Sequence, residues 1–346
     1  MSSSFKRSNL PPTITSSTTE EQGGATSFSS LHRDIIECHI LPKLDGTTLA
    51  SASSSSTSFH HLCSQDYLWF KACNDTWPST SSPRVKHLIS KFINGGPRAF
   101  FAQSYPLYYS ELTSSNLNHS SLPLELISTV DIKHKKTLIF SKVQETETGT
   151  GWFRFSPFRI DLLEPKDVIT THICHPEQDD TCHSLMDDMS LSWIIIDPIQ
   201  RSAINLSSHK PVSVNRHWLT GEVQLTFVTI HKGPTSGHVQ FRVVVMCGGS
   251  ERGEMQIREV SLEVEDMEGV HMYGKDSLVI LQRALEGKRG RGNLREEEGR
   301  RKYKEFLEMK ERRKEKQLKR EEVMDVLGVG FGISIFVVFW WFMLCT

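Results

Sequence analysis

The stretch "SSLHRDIIECHILPKLDGTTLASASSSSTSFHHLCSQDYLWFKACNDTWPST", residues 29–80, carries the clearest local folding signal of the chain. Within it Ile36, Ile40 and Leu44 recur every four residues, which is the spacing of one face of an α-helix. An Asp-Gly turn follows at 45–46 and separates this helix from a second helical stretch. The pattern predicts a small all-α domain over residues 29–78.

Composition limits what the rest of the chain can do. The 346 residues suffice for about two domains. A net charge of -1 excludes nucleic-acid binding driven by bulk charge, and we expect no nucleic-acid partner. Seven scattered cysteines indicate reduced thiols. Residues 1–28 hold 12 Ser or Thr and no apolar run of the length that a secretory signal needs, so we predict a disordered tail there.

From about residue 126 to 266 the apolar pattern changes to period two, as in half-buried strands. The clearest alternation is at Val223, Leu225, Phe227, Val260, Leu262 and Val264. We expect seven or eight short strands in an antiparallel, sandwich-like domain over 126–285, closed by a short helix at 276–285. Residues 79–125 are predicted to be a linker. The fold class is therefore α+β.

The end of the chain predicts a membrane anchor at 325–344. No charged residue lies between Val326 and Leu344, and nineteen helical residues span about 28 Å, close to the thickness of a bilayer's hydrocarbon core. A buried core helix is the alternative, but such helices usually show a polar face, and Ser334 is the only strongly polar side chain here. The anchor residues are Val326, Ile333, Ile335, Trp340 and Leu344.

A charged segment at 286–324 is predicted to be a solvated helical stalk. Residues 283–325 carry a local charge of +5, and positive flanks stay on the cytosolic side of a membrane. The orientation expected is a single C-terminal span with the bulk of the protein in the cytosol. Anionic lipid is expected to attract six basic residues, each worth about 1 kcal/mol, namely Arg312, Arg313, Lys314, Lys316, Lys319 and Arg320.

Residues 29–80 resemble an F-box, in particular that of plant F-box proteins with a Leu-Trp pair and a "TWPST" extension. The matching positions are Leu31, Asp34, Ile35, Ile36, Ile40, Leu41, Leu44, Asp45, Gly46, Leu49, Ala50, Leu62, Leu68 and Trp69. The resemblance implies binding to the Skp adaptor of a cullin ubiquitin ligase. The adaptor-binding residues, shared with the internal core, would be Leu31, Ile35, Ile36, Ile40, Leu41 and Leu44.

The same resemblance implies that the β-rich region recruits the protein to be ubiquitinated. The chain would then be a non-catalytic subunit without a cofactor. Two positions depart from the family pattern, because His32 replaces a usual proline and Pro42 interrupts the first helix. They keep an alternative open: a membrane-anchored carbohydrate- or protein-binding module with a degenerate F-box.

Two further patterns concern ligand binding in the β-rich region. Trp152, Trp193 and Trp218 could form an aromatic platform, although core burial is the commoner fate of tryptophan. The run "HICHPEQDDTCH" contains five potential metal ligands in a spacing that fits no zinc knuckle. We therefore interpret this run as a polar loop between strands and expect no metal; its five residues are His172, Cys174, His175, Cys182 and His183.

Overall fold

The computed structural model describes residues 31–93, 95–105, 122–176, 179–233, 237–287 and 296–345. The predicted disorder of residues 1–28 lies outside these ranges. The chain divides into two compact units, one up to Lys43 and one from Leu44 onward. The mixed helix and sheet content agrees with the predicted α+β class.

The described part of the first unit, residues 31–43, contains a short helical segment whose hydrogen-bond pattern changes along its length. Helix α1 (Arg33–Ile35) continues as a π-helical turn, Ile36–Ile40, and then as a 3-10 turn, Leu41–Lys43. His32 caps its start, since the Nδ1 atom accepts the backbone N–H of Asp34 at 3.3 Å. Pro42 lies in the 3-10 turn, in line with the expected interruption of the helix there.

The second unit begins with five helices. They are α2 (Gly46–Ser55), α3 (Thr57–Cys63), α4 (Asp66–Thr76), α5 (Pro83–Ser90) and α6 (Gly96–Ser104), with a 3-10 turn at Pro78–Ser81 between α4 and α5. The Asp45 carboxylate caps α2 by accepting the backbone N–H of Thr48 at 3.0 Å. Helices α5 and α6 occupy part of the segment predicted as a linker.

The β-rich region forms two antiparallel sheets. The strands are β1 (Glu125–His134), β2 (Thr137–Glu147), β3 (Arg159–Asp161), β4 (Ile169–Cys174), β5 (Met189–Asp197), β6 (Ser202–Asn205), β7 (Ser213–Arg216), β8 (Val223–Lys232), β9 (His238–Gly249) and β10 (Glu254–Glu265). A four-stranded sheet has the order β2-β1-β5-β6, and a six-stranded sheet has the order β3-β10-β9-β8-β7, with β4 also pairing with β10. The described residues thus hold ten strands, so the prediction of seven or eight was too low.

Among the residues that the structure describes here, the helices that accompany the sheets are α7 (Gly151–Phe155), α8 (Asp179–Asp188), α9 (Gly274–Glu286) and α10 (Glu296–Cys345). Helix α9 contains the predicted short helix at 276–285. Gly274 is required at its start, because a Cβ atom there would collide with the backbone oxygen of Phe153 in α7. Helix α8 was not expected, since its sequence was interpreted as a polar loop.

Both sheets contribute to one apolar core. Val130 and Trp193 of the four-stranded sheet belong to the same buried cluster as Phe227 and Val243 of the six-stranded sheet. Burial of this apolar surface is the main favourable contribution to folding of the β-rich region.

Candidate functional site

The residues predicted to bind the adaptor differ in their accessibility. Ile36 and Leu41 are 7% and 1% exposed, whereas Ile35 is 44% exposed. Leu31, Ile40 and Leu44 are half-buried. Ile36 and Leu41 therefore serve internal packing, and Ile35 is the member of the set most accessible to a partner. Adaptor binding itself stays a prediction.

The "TWPST" extension joins the helices to the four-stranded sheet. Trp77 is 1% exposed, and its indole Nε1 donates to the Ser192 hydroxyl of β5 at 3.1 Å. Its ring centroid lies 5.1 Å from that of Phe101 and 6.0 Å from that of Phe100, both in α6. Trp77 thus contacts both helix α6 and the four-stranded sheet.

Asp131 of β1 binds Ser79, the next polar residue of the extension. Its carboxylate accepts the Ser79 backbone N–H at 3.0 Å and the Ser79 hydroxyl at 2.6 Å, and the Ser141 hydroxyl at 2.7 Å. Burial raises the pKa of Asp131, and the hydrogen bonds from Ser79 and Ser141 oppose that shift. Sequence reasoning missed this residue, because its partner lies 52 positions away and a single Asp in a strand carries no signal of its own.

Ion pairs and charged hydrogen bonds complete the junction. Lys133 of β1 donates to the backbone oxygen of Thr76 at 2.8 Å, where the end of α4 concentrates negative charge. Arg84 of α5 pairs with Glu125 at 2.6 Å and also with Glu145 on β2. Such exposed pairs add little stability individually; here they connect α5 with β1 and β2.

The three tryptophans proposed as a platform are not close together. Trp193 is fully buried and donates to Ser128 at 3.2 Å, whereas Trp152 and Trp218 are 85% and 84% exposed. Trp218 lies in the turn between β7 and β8, at one edge of the six-stranded sheet. Trp152 lies in α7, which precedes β3, and β3 forms the other edge of that sheet. A single platform of these three residues is therefore wrong.

The turn that carries Trp218 is held by its own hydrogen bonds. The backbone N–H of Gly221 donates to the His217 oxygen at 2.8 Å, and the N–H of His217 donates to the Glu222 oxygen at 2.7 Å. Glu222 also pairs with Arg258 at 3.1 Å. An exposed indole on a preorganised turn loses little entropy on binding, which is typical of an interface anchor.

Helix α10 first packs on the six-stranded sheet and then leaves it. Phe306 is fully buried, so the prediction of a stalk solvated along its whole length is wrong at this position. Arg300 pairs with Asp187 at 2.9 Å, and Arg313 pairs with Glu268 at 2.9 Å, beyond the end of β10. The helix therefore runs along β8 toward the β8–β9 turn, away from the turn that carries Trp218.

Beyond Arg313 the side chains of α10 are exposed as far as Leu344. This helix is long and apolar enough to cross a membrane by length and composition. All five predicted anchor residues lie in this part of the helix and are exposed. In aqueous surroundings they would present apolar surface to water. The predicted lipid-facing residues Arg312 to Arg320 are exposed as well.

Residues 172–174 of this run end β4 and residues 179–183 begin α8, so its interpretation as a loop is wrong for these residues. Another group, Glu263, Glu265 and His271, lies close enough together to hold a metal ion. Its carboxylates already have cationic partners, because Arg159 donates to Glu263 at 2.5 Å and Arg242 to Glu265 at 2.7 Å. Guanidinium groups in these places disfavour a further cation.

Three proteins of Arabidopsis thaliana are similar to this chain over most of its length. "Probable F-box protein At2g36090" is 47% identical over 311 residues, which are 90% of this chain and 91% of that protein. "F-box protein At2g27310" is 42% identical over 92% of this chain and 96% of its own length. "F-box protein At3g44326" is 42% identical over 92% of each. No family model and no solved structure matches the chain.

Proposed function

This chain belongs to the F-box proteins of plants, and we propose that it is the substrate-recruiting subunit of a Skp–cullin–F-box ubiquitin ligase. The observation that carries the proposal is similarity to named F-box proteins over about nine-tenths of the chain, which includes the β-rich region. The subunit would contribute no catalytic residue, since ubiquitin transfer occurs elsewhere in the complex.

Different parts of the chain would have different tasks in the ligase. Apolar residues of the 31–44 segment would bind the Skp adaptor, with Ile35 as the accessible anchor. The two sheets, as a sandwich-like domain, would bind an as yet unidentified protein substrate. The contacts of Trp77 and Asp131 support this arrangement, because they connect the F-box helices from α2 onward to the four-stranded sheet.

Ile35→Asp will weaken binding of the full-length protein in detergent to purified Skp adaptor by at least tenfold. A charge at the centre of an apolar interface must be desolvated without a partner, which costs well over the roughly 1.4 kcal/mol that corresponds to tenfold. The measurement is biolayer interferometry with immobilised adaptor. Ile93→Asp is the matched control, because Ile93 is 57% exposed and lies outside the predicted interface.

Ile35 also makes a sharper test than the buried Ile36 or Leu41, whose replacement by Asp would disturb folding. Equal affinity of the two Asp variants would remove Ile35 from the interface. An absence of adaptor binding by the unmodified protein would favour the alternative, a membrane-anchored carbohydrate- or protein-binding module in which His32 and Pro42 mark a degenerate F-box.

We further propose that the protein is tail-anchored, with residues 326–344 in the bilayer and the bulk of the chain in the cytosol. The exposed apolar end of α10 and the basic run before it support this orientation. Confinement to a membrane raises the effective concentration of a substrate on the same membrane without new contacts.

Docking of α10 on the sheet would then set the direction in which the substrate-binding region faces. The helix exits at the end that carries Glu268, and about 20 Å of helix separate Arg313 from Val326. The Trp218 turn lies at the other end of β8, about 30 Å along the strand. Trp218 would therefore face the cytosol and be available to a protein that extends well above the bilayer.

Energy transfer to dye-labelled lipid headgroups will be stronger from residue 273 than from residue 219 in nanodiscs. The donor is attached to Tyr273→Cys or Leu219→Cys, which are 56% and 71% exposed in the parent protein. Cys38, Cys174 and Cys345 are replaced by serine so that one thiol reacts. Equal transfer would contradict the proposed orientation, and no transfer from either site would contradict the anchor.

A further inference from the structure

A cavity of about 290 Å³ lies where the F-box helices meet the four-stranded sheet. Ligand pockets of proteins start at about 300 Å³ and occur preferentially at such boundaries, so the volume suits a compact ligand. Helices α2, α4 and α6, strands β1 and β5, and the segments beside them line the cavity. The lining side chains include Asp45, Trp77, Phe101, Tyr105, Lys133 and Ser190.

The floor of the cavity is polar and comes from two paired strands. Asp131 is opposite Ser192 and Lys133 is opposite Ser190, so the four side chains share one face of the sheet. Lys133 already donates to a backbone oxygen at the end of α4. The Ser192 hydroxyl accepts a hydrogen bond from Trp77, so the proton of this hydroxyl can still be donated to a ligand. The floor thus offers hydroxyl groups for hydrogen bonding.

One wall is aromatic. The ring centroids of Trp77 and Phe101 are 5.1 Å apart, and those of Phe101 and Tyr105 are 5.7 Å apart with an interplanar angle of 30°. Gly46 permits Phe101 to sit against the start of α2, since a Cβ atom there would overlap its ring. Such a wall suits a flat ring and attracts a cation through the ring faces.

Two carboxylates, those of Asp45 and Asp131, line the cavity together with the ammonium of Lys133 and the imidazole of His209. Asp131 is occupied by Ser79 and Ser141, whereas Asp45 is exposed at the rim. Hydrogen bonds from Thr48 and Thr47 hold the pKa of Asp45 below its usual value, so this carboxylate is ionised at neutral pH. The Tyr105 phenol, whose pKa is raised by burial and by the charge of Asp45, stays neutral beside it.

We propose that this cavity binds a small aromatic amine, with the ring against Phe101 and Tyr105 and the ammonium group directed at Asp45. The site would serve a ligand in addition to the substrate and the adaptor. Because the ligand would contact helices and sheet together, it would stabilise their junction in proportion to its occupancy.

The test uses three probes with the same ring and different charge: tryptamine, tryptophol and indole-3-propionate. Binding to the full-length protein in detergent micelles is followed by saturation-transfer NMR and by the unfolding temperature. Tryptamine is expected to bind at least fivefold more tightly than tryptophol, and indole-3-propionate more weakly still. Asp45→Asn, which keeps a residue able to cap α2, is expected to abolish the preference for the amine.

A cavity-filling variant separates the site from partition into micelles. Ser190→Leu places apolar volume in the cavity, which the Ser190 side chain lines. Ser213→Leu, on β7 and outside the cavity, is the matched control. Loss of tryptamine binding in the first variant and its retention in the second supports the proposal.

Binding that survives Ser190→Leu, binding without charge preference, or no protein-dependent signal from any probe would each overturn the proposal. None of these outcomes depends on adaptor binding, which the Ile35→Asp experiment measures separately. A failure of the ligase assignment is therefore distinguishable from a failure of this site.

Discussion

Trp77→Ala will lower the free energy of unfolding by about 3–5 kcal/mol, the range for truncating a large aromatic side chain in a core. Trp77 is 1% exposed and contacts both Phe100 and Phe101, so its removal leaves a cavity at the junction. It also leaves the Ser192 hydroxyl without the indole donor. Urea unfolding of the full-length protein in detergent, followed by circular dichroism, measures the change.

Two further variants are needed: one isolates the hydrogen bond of Trp77, and the other is a control at an exposed tryptophan. Ser192→Ala keeps the indole but removes its acceptor, and an unsatisfied buried donor costs about 1–3 kcal/mol. Trp152→Ala, at a tryptophan that is 85% exposed, is expected to change stability by less than about 0.5 kcal/mol. Equal effects of Trp77→Ala and Trp152→Ala would show that the junction contributes no cooperative stability.

Arginine at two central positions of the apolar end, Ile335→Arg and Phe336→Arg, will move the protein from membranes to the soluble fraction. Each arginine near the middle of a span costs about 2.5–3.5 kcal/mol for insertion, so the pair offsets insertion by about 5–7 kcal/mol. Flotation of microsomes after alkaline carbonate washing of cell-free translation product measures the membrane-bound share. We expect at least a tenfold decrease.

The matched control keeps the added charge but moves it out of the apolar segment. Val323→Arg with Met324→Arg lies on the same helix, before the apolar segment and one turn after Lys319 and Arg320, and is expected to float like the unmodified protein. If both double variants floated equally, the basic run and not residues 326–344 would hold the protein on membranes. If the unmodified protein did not float, the anchor proposal would be wrong.

The sequence was informative wherever a local pattern carried the signal. Helical spacing at Ile36 and Ile40 predicted a helix that the structure contains, although the backbone there forms a π-helical turn. Alternation at Val223 and Leu225 predicted strand β8, and the apolar run after Asp325 predicted the end of α10. Each of these patterns depends on neighbours in the chain, which is why sequence alone can reveal it.

The sequence-based predictions that were wrong concern residues whose burial depends on contacts with distant parts of the chain. Phe306 looked like part of a solvated stalk because its neighbours are charged, yet β8 provides a surface that buries it completely. Trp193 and Trp218 were both candidates for one ligand platform, yet they are 0% and 84% exposed, because Trp193 lies in strand β5 and Trp218 in the turn between β7 and β8. The polar interpretation of residues 179–188 failed because packing against β7 stabilises α8 there.

The sequence by itself determined the order of helical, β-rich and apolar segments, and the family to which the chain belongs. Only the tertiary structure decided that Trp77 and Ser79 bind Ser192 and Asp131, and that Asp45 and Tyr105 line one cavity with β1 and β5. The physical reason is that periodicity depends on near neighbours in the chain and shows only which face of a segment is apolar. Which residues pack against that face depends on strand register and helix docking, and these bring together residues 52 or more positions apart.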